Sequence, residues 1–210
     1  ATGTSRRCFE VLHDLRGLSV HFLLDVDGTI YQTLDLKERA WHATTSNSRS
    51  IGVEIAHPGA YPPVQRRRLE PWYTHDARGV RLTFPAWMTH PGIRTPGFIG
   101  RPARPEPIIG TLQGQELIQY DFTPEQYAAL ARLSAALGQL FPRLRLDFPR
   151  DAAGRVLREK LPDPALQNYA GILGHYHVQT DKVDPGPAFD WDRLLAGIRS
   201  SPGRRRLPPP

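Results

Sequence analysis

The sequence predicts an α/β domain: a single mixed central β-sheet flanked by helices and interrupted by a long proline-rich insertion. Three observations carry this. Short apolar runs at 20–24 and 50–56 suit buried strands, and apolar residues recur at helical spacing in 123–140 and 190–198. Strands interleaved with helices pack as helices on the faces of one sheet. The chain's 210 residues are enough for one domain with a sizeable core.

Residues 5–16 read as a short helix. Ser5 is the expected N-cap, Phe9, Leu12 and Leu15 share a face, and Gly17 ends it. Val20 to Leu24 is apolar enough for a buried strand, Asp27-Gly28 is a hairpin turn signal, and Thr29 to Gln32 is the returning strand. Residues 40–50 form a loop rich in Ser, Thr and Asn, and 50–56 form a third strand. With period two, Glu54 shares a face with Gly52 and Ala56, opposite Ile51, Val53 and Ile55. A carboxylate among small residues either fronts a pocket or faces water from an edge strand.

From 57 to 118 the periodicity dissolves. About half of the 21 prolines fall here, and only VRLTF at 80–84 reads as a short strand. A stretch of this length is expected to be an irregular functional insertion, and its aromatic residues oppose full disorder. Trp72, Tyr73, Trp87 and Trp191 are expected to border a cleft. The strongest helix follows. Thr123 caps it, Pro124 opens it, Gln126 completes a capping box, and Tyr127, Leu130, Leu133, Leu137 and Leu140 form its apolar stripe. A proline-broken connection spans 142–165, and a last helix begins near Asp190 with Trp191, Leu194, Leu195 and Ile198 inward. The domain is expected to span 1–200, leaving 201–210 as a disordered basic, proline-rich tail.

Composition narrows the function classes. Hydrophobic residues at 40% and charged residues at 23% fit a soluble globular protein. No apolar run approaches the roughly 18 residues that span a bilayer. The lone cysteine, Cys8, allows no internal disulfide and reads as a small packed hydrophobe. The chain opens at Ala1 with no initiator Met and no signal-peptide pattern, so any export signal is expected upstream. The formal net charge is +6, with arginine runs at 66–68 and 204–206. Such runs are usually solvated, although they also attract anionic polymers. No aromatic-basic interleaving favours nucleic acid, so a nucleic-acid partner is not expected.

The chemistry concentrates in 174–191, GHYHVQTDKVDPGPAFDW. His175 follows Ile172, Leu173 and a glycine, which predicts the exit of a buried strand. Asp184 lies nine positions on, followed by a Pro-Gly-Pro turn that neither helix nor strand runs through. A rigid loop carrying His and Asp makes two legs of a tetrahedral zinc site, or else is a polar surface turn. Lys182 would lie on Asp184's side of an extended loop, placed to donate a proton or hold an oxyanion.

Taken in order, SVHFLLDVDGTIYQ, ERAWHA (38–43), SIGVEI (50–55) and GH…DKVDPGPAFDW resemble the zinc-dependent N-acetylmuramoyl-L-alanine amidases of type 2. These are related in fold to peptidoglycan recognition proteins and phage amidase-type lysozymes. The resemblance implies hydrolysis of the amide between the lactyl group of N-acetylmuramic acid and L-alanine, with Zn2+ as cofactor. His175 and Asp184 match two of the three zinc ligands, Glu54 the catalytic carboxylate, and Lys182 the basic residue beside the metal. His42 and Trp41 fall in the motif lining the cleft, where they imply substrate contact. The implied partner is peptidoglycan or a muropeptide, bound by a monomer. The implied location is the cell envelope, periplasm or exterior, or the cytoplasm if muropeptides are recycled.

Two departures accompany the resemblance. The spacing from His175 to Lys182 and Asp184 is one residue shorter than in many relatives, and His177 is extra. The family's first zinc ligand is a His just before a Thr-containing turn, and the opening ATGTS is similar to the segment after that His. The third ligand is therefore expected upstream of Ala1, or supplied by His21, His42 or His177. The alternative is a non-catalytic peptidoglycan-binding module of the same fold.

Overall fold

The computed structural model describes residues 3–201. Its centre is a three-stranded mixed sheet of β1 (Phe22–Leu24), β2 (Ile30–Gln32) and β3 (Val53–Ile55), in the order β2-β1-β3. β1 pairs antiparallel with β2 across the Asp27-Gly28 turn, where Gly28 adopts φ +82°, and parallel with β3. The expected third strand is shorter than 50–56 but carries Glu54 at its middle.

Alternation along β1 assigns the two faces. Leu23 packs with Cys8, Val20, Leu12 and Tyr31 beneath the N-terminal helix. Leu24 joins the main core of Phe122, Tyr127, Leu130, Phe189, Trp191 and Leu194. Helices therefore cover opposite faces, as expected.

α1 (Ser5–Phe9) runs on as a π-helical turn over Glu10–Leu15, and Gly17 at φ +60° closes it. Its N-cap is Thr4, whose hydroxyl accepts from the Arg7 amide, rather than the expected Ser5. The amide of Ser5 is drawn instead to the buried carboxylate of Asp25. α2 (Pro124–Leu140) has the expected Thr123–Gln126 capping box. The same two residues bolt it to the sheet: Thr123 Oγ1 donates to Val26 O and Gln126 Nε2 to Ala56 O. α3 (Asp163–Asn168) is short, and α4 (Trp191–Ser200) is capped by Asp190 and packs on α2.

The insertion departs from expectation by being ordered into local pairs. A 3₁₀ helix (Pro63–Trp72) leads into a hairpin of β4 (Tyr73–Asp76) and β5 (Gly79–Leu82). A second hairpin joins β6 (Ile108–Leu112) to β7 (Gln115–Gln119). Gln113 and Gly114 take φ of +52° and +72°, the pair of positive values that a two-residue hairpin turn demands. Trp191 is core rather than cleft, 5% exposed among Phe148, Phe189 and Tyr176. Tyr73 stacks on Tyr120, and Trp72 packs edge to face on Trp87. The expected tail at 201–210 lies outside the described residues save Ser201, the C-cap of α4. No helix among the described residues is long and apolar enough to cross a membrane.

Candidate active site

Glu54 stands opposite Leu23 in the parallel register, so its side chain leaves on Leu23's face of the sheet. Burial pushes its pKa above the ordinary carboxylate value, with the charge of Asp184 adding to the rise and that of His175 opposing it. The carboxylate thus lies within electrostatic reach of His175 and Asp184 on the 175–184 loop. Glu54 is half-buried on β3, which is an edge strand of the sheet.

His42 arrives on the same face. Gly52 shares Glu54's side of β3, and a Cβ built there would lie 2.9 Å from the His42 ring. Asn47 holds the backbone of this arm, its Oδ1 accepting from the amides of His42 and Ala43. The single proton of Ser50 Oγ goes to Ser46 O at 2.6 Å, so Ser50 Oγ accepts from His42 Nε2 at 3.3 Å. That places the proton on Nε2 and leaves the Nδ1 lone pair available. Burial, reinforced by His21 and His175, pushes the His42 pKa down to about 4, so the ring is neutral at pH 7. Trp41 is 53% exposed beside it, with the Arg39 guanidinium 4.2 Å from its ring centre.

The other wall is the loop. His175 opens a 3₁₀ turn over His175–His177 instead of closing a strand. The segment before it makes only isolated bonds to a neighbouring connection, Ile172 N to Asp147 O and Arg145 N to Ala170 O, so no ladder forms. His175 Nδ1 lies 3.0 Å from Asp184 Oδ2, and its Nε2 lies 2.7 Å from Gln179 Oε1. Both ring nitrogens therefore face acceptors. Burial opposes the imidazolium, but the Asp184 bond and charge outweigh it and raise the pKa of His175. In return, the partial desolvation of Asp184, whose side chain is 61% exposed, is outweighed by its bond to His175, which lowers the Asp184 pKa. The Lys182 ammonium lies close enough to act on His175 and pairs with Asp181 at 3.3 Å. The fold thus gathers Glu54, His42, His175, Lys182 and Asp184 into one region from three separate stretches of chain.

Two of the three spare histidines are excluded as metal ligands. His21 donates from Nε2 to Glu38 O and accepts at Nδ1 from the Gly52 amide. His177 donates from Nε2 to Leu157 O and accepts at Nδ1 from the Gly174 amide. Neither ring has a lone pair to spare. Among the described residues no group of three or more His, Cys, Asp or Glu side chains is placed to hold a metal ion. A zinc site takes at least three protein donors. The described residues supply two and do not by themselves fit resident zinc.

The sequence reading passed over Gln179, which contacts His175, and two more glutamines, Gln113 and Gln119, that hold the loop. The glycine at Gly114, between the short, partly apolar runs 108–112 and 115–119, was the available signal, since a two-residue turn there gives the hairpin that carries both Gln113 and Gln119.

Comparison with known proteins bears on the sheet side of this site. Residues 1–85 match the N-acetylmuramoyl-L-alanine amidase family. That stretch contains Trp41, His42 and Glu54, and it ends before His175, Lys182 and Asp184. No curated protein matches the chain. Among solved structures, a crystal structure of a selenomethionine derivative of AmpD is similar at 20% identity and a TM-score of 0.40. The match covers 86% of this chain and 60% of that one, so the chain spans about three-fifths of the length of the structure it matches.

Proposed function

We propose that this chain is an amidohydrolase that cleaves the amide between N-acetylmuramic acid and L-alanine in peptidoglycan or muropeptides. The observation that carries the reading is the convergence of Glu54 with His175 and Asp184, in a chain whose first 85 residues match an amidase family. Amide hydrolysis needs a base for water, an acid for the leaving amine and a partner for the oxyanion. Glu54 takes the proton from water and passes it to the departing L-alanine nitrogen. The Lys182 ammonium faces the developing oxyanion, and His42 and Trp41 contact the substrate. Asp184 orients the His175 ring through Nδ1.

No step here passes through a metal, because the described donor set stops at two. Zinc at His175 and Asp184 needs a third donor. Of the spare histidines, His42 alone keeps a bare ring nitrogen. After dialysis at neutral pH, elemental analysis is expected to find well under one zinc per chain. A full equivalent, lost in His42→Ala, would instead make His42 the third ligand.

A second reading has that incomplete donor set in its favour: the chain holds a muropeptide without cutting it. One experiment separates the two. The protein is incubated with a purified muropeptide in zinc-supplemented buffer, and mass spectrometry follows release of the stem peptide with a free L-alanine amine. Release is expected. Binding without release would sink the hydrolase and leave the binding module. The product's site of formation would be the envelope for polymer, or the cytoplasm for a recycled fragment.

A further inference from the structure

The 174–190 loop has no strand or helix to fix it between its 3₁₀ turn and α4, yet it carries His175, Lys182 and Asp184. Buried loop carbonyls and amides must still find partners. Both ends of this loop find them on one hairpin, β6–β7. At its turn, Gln113 Nε2 donates to Tyr176 O at 2.6 Å and Gln179 O at 3.0 Å, while its Oε1 accepts from the Lys160 amide. At the far end of β7, Gln119 Nε2 donates to Pro185 O at 2.9 Å, and its Oε1 accepts from the Ala188 amide at 3.0 Å. Gln119 is 1% exposed. Its second amide proton faces His57 Nδ1 at 3.4 Å, a nitrogen that also accepts from the Gly59 amide.

The orientation of both side-chain amides is forced. Each nitrogen faces backbone carbonyls and each oxygen faces a backbone N–H, so a flipped amide would oppose like groups. The contacts also bracket the reacting residues. Tyr176 follows His175, Gln179 touches the His175 ring, and Pro185 follows Asp184.

We propose that Gln113 and Gln119 are positioning residues that hold the two ends of the His175–Asp184 loop in register with Glu54. The inserted hairpin is thereby a brace for the site. The inference rests on the hydrolase reading only in taking this loop as catalytic.

The test uses the whole chain with Gln113→Ala, Gln119→Leu and Gln119→Glu. Hydrogen exchange is followed by mass spectrometry on peptides covering 175–189, and muropeptide hydrolysis is measured alongside. Gln119→Leu fills the same volume but offers the loop no polar group. Exchange across 184–189 is expected to quicken about tenfold, with β1–β3 and α2 unchanged. Gln119→Glu restores the acceptor for the Ala188 amide and should recover protection at 188–189 and part of the turnover. Gln113→Ala should quicken exchange across 175–180. In an active protein kcat should fall at least about tenfold with KM within about twofold, the signature of lost geometry rather than lost binding.

Wild-type exchange across 175–189 in both Gln113→Ala and Gln119→Leu would overturn the proposal. If Gln119→Leu loosens the whole molecule, Gln113→Ala decides, because its side chain sits on a half-exposed turn. If the wild-type protein fails to cleave muropeptide, the hydrolase reading falls and the exchange result alone decides the brace.

Discussion

The two walls of the candidate site are built by different physics. Glu54 sits in a strand whose backbone is paired along β1, and whose other face is buried by Val53 and Ile55. Moving Glu54 means breaking a ladder and exposing apolar core. His175 and Asp184 sit on a loop with no strand ladder beneath them, anchored by the buried side chains of Tyr176, Val178 and Phe189 and tied by hydrogen bonds from Gln113 and Gln119. Between those anchors, shifting the His175 and Asp184 side chains breaks single hydrogen bonds, each contributing about 1 kcal/mol. The sheet wall is therefore set by a local ladder, and the loop wall by contacts to residues remote in sequence.

The harshest way to break the comparison is at the sheet wall. Glu54→Gln keeps shape and removes the base. Turnover of muropeptide is expected to fall by at least about 100-fold, the ordinary weight of a general base, while the melting temperature stays within a few degrees. Near-normal turnover would remove Glu54 from the chemistry and leave the site without its proposed base.

Next in size is a change at the loop wall. Gly186 has φ +102°, and a Cβ built there would lie 2.1 Å from Gln119 Oε1. Gly186→Ala forces both backbone strain and the loss of the Gln119 bonds, an expected cost of about 3 kcal/mol by denaturant unfolding. Turnover should fall with it. A variant as stable as the wild type would mean that the loop has another conformation of equal energy, and the contrast between the walls would be overstated.

How much of this was legible follows the same division. The capping box at Thr123–Gln126, the Asp27-Gly28 hairpin and the apolar faces of α2 and α4 are local signals, and the structure carries each of them except at the end of α2, where Leu140 is exposed. The fastening of the 175–184 loop is not local. Gln113 reaches residues 63 and 66 positions away, and Gln119 reaches 66 and 69. No period or spacing rule records such contacts. The insertion looked irregular because its strands are short and their residue types do not follow their burial: β6 alternates in burial, yet Ile109 faces outward and Gly110 inward. His21 and His177 looked available as ligands because a sequence does not reveal that both ring nitrogens of each are already bonded.

A smaller effect sharpens the picture at the base of the sheet wall. Asp25 is fully buried; its Oδ1 accepts from the Ser5 and Val26 amides, while Oδ2 has no partner among the described residues. Burial pushes its pKa up to about 6, against the two amide bonds, with Asp27 adding slightly. The folded state thus holds a proton that the unfolded chain has released. The stability this proton contributes is full below pH 4 and is lost as pH rises to about 6. Asp25→Asn cannot titrate there. Its stability relative to wild type should rise by about 2 kcal/mol between pH 4 and pH 7. A flat difference in unfolding midpoints across that range would mean that Asp25 is ionised throughout and solvated by groups the geometry does not reveal.

The smallest expected effect asks whether the two walls meet through His42. Gly52→Ala places a methyl 2.9 Å from that ring, which must tilt away and give up its bond to Ser50 Oγ. One such neutral bond contributes about 1 kcal/mol, so the fold should survive with a slightly lower unfolding midpoint. The strand itself loses nothing, because Gly52 takes no positive φ that a side chain would strain. If His42 contacts the substrate, the tilt should raise KM several-fold and leave kcat near its original value. An equal loss in kcat would instead tie His42 to the reacting groups, through its bare Nδ1 beside His175. Unchanged kinetics would mean that the ring only packs against Gly52, and the cleft would then rest on Glu54 and the loop alone.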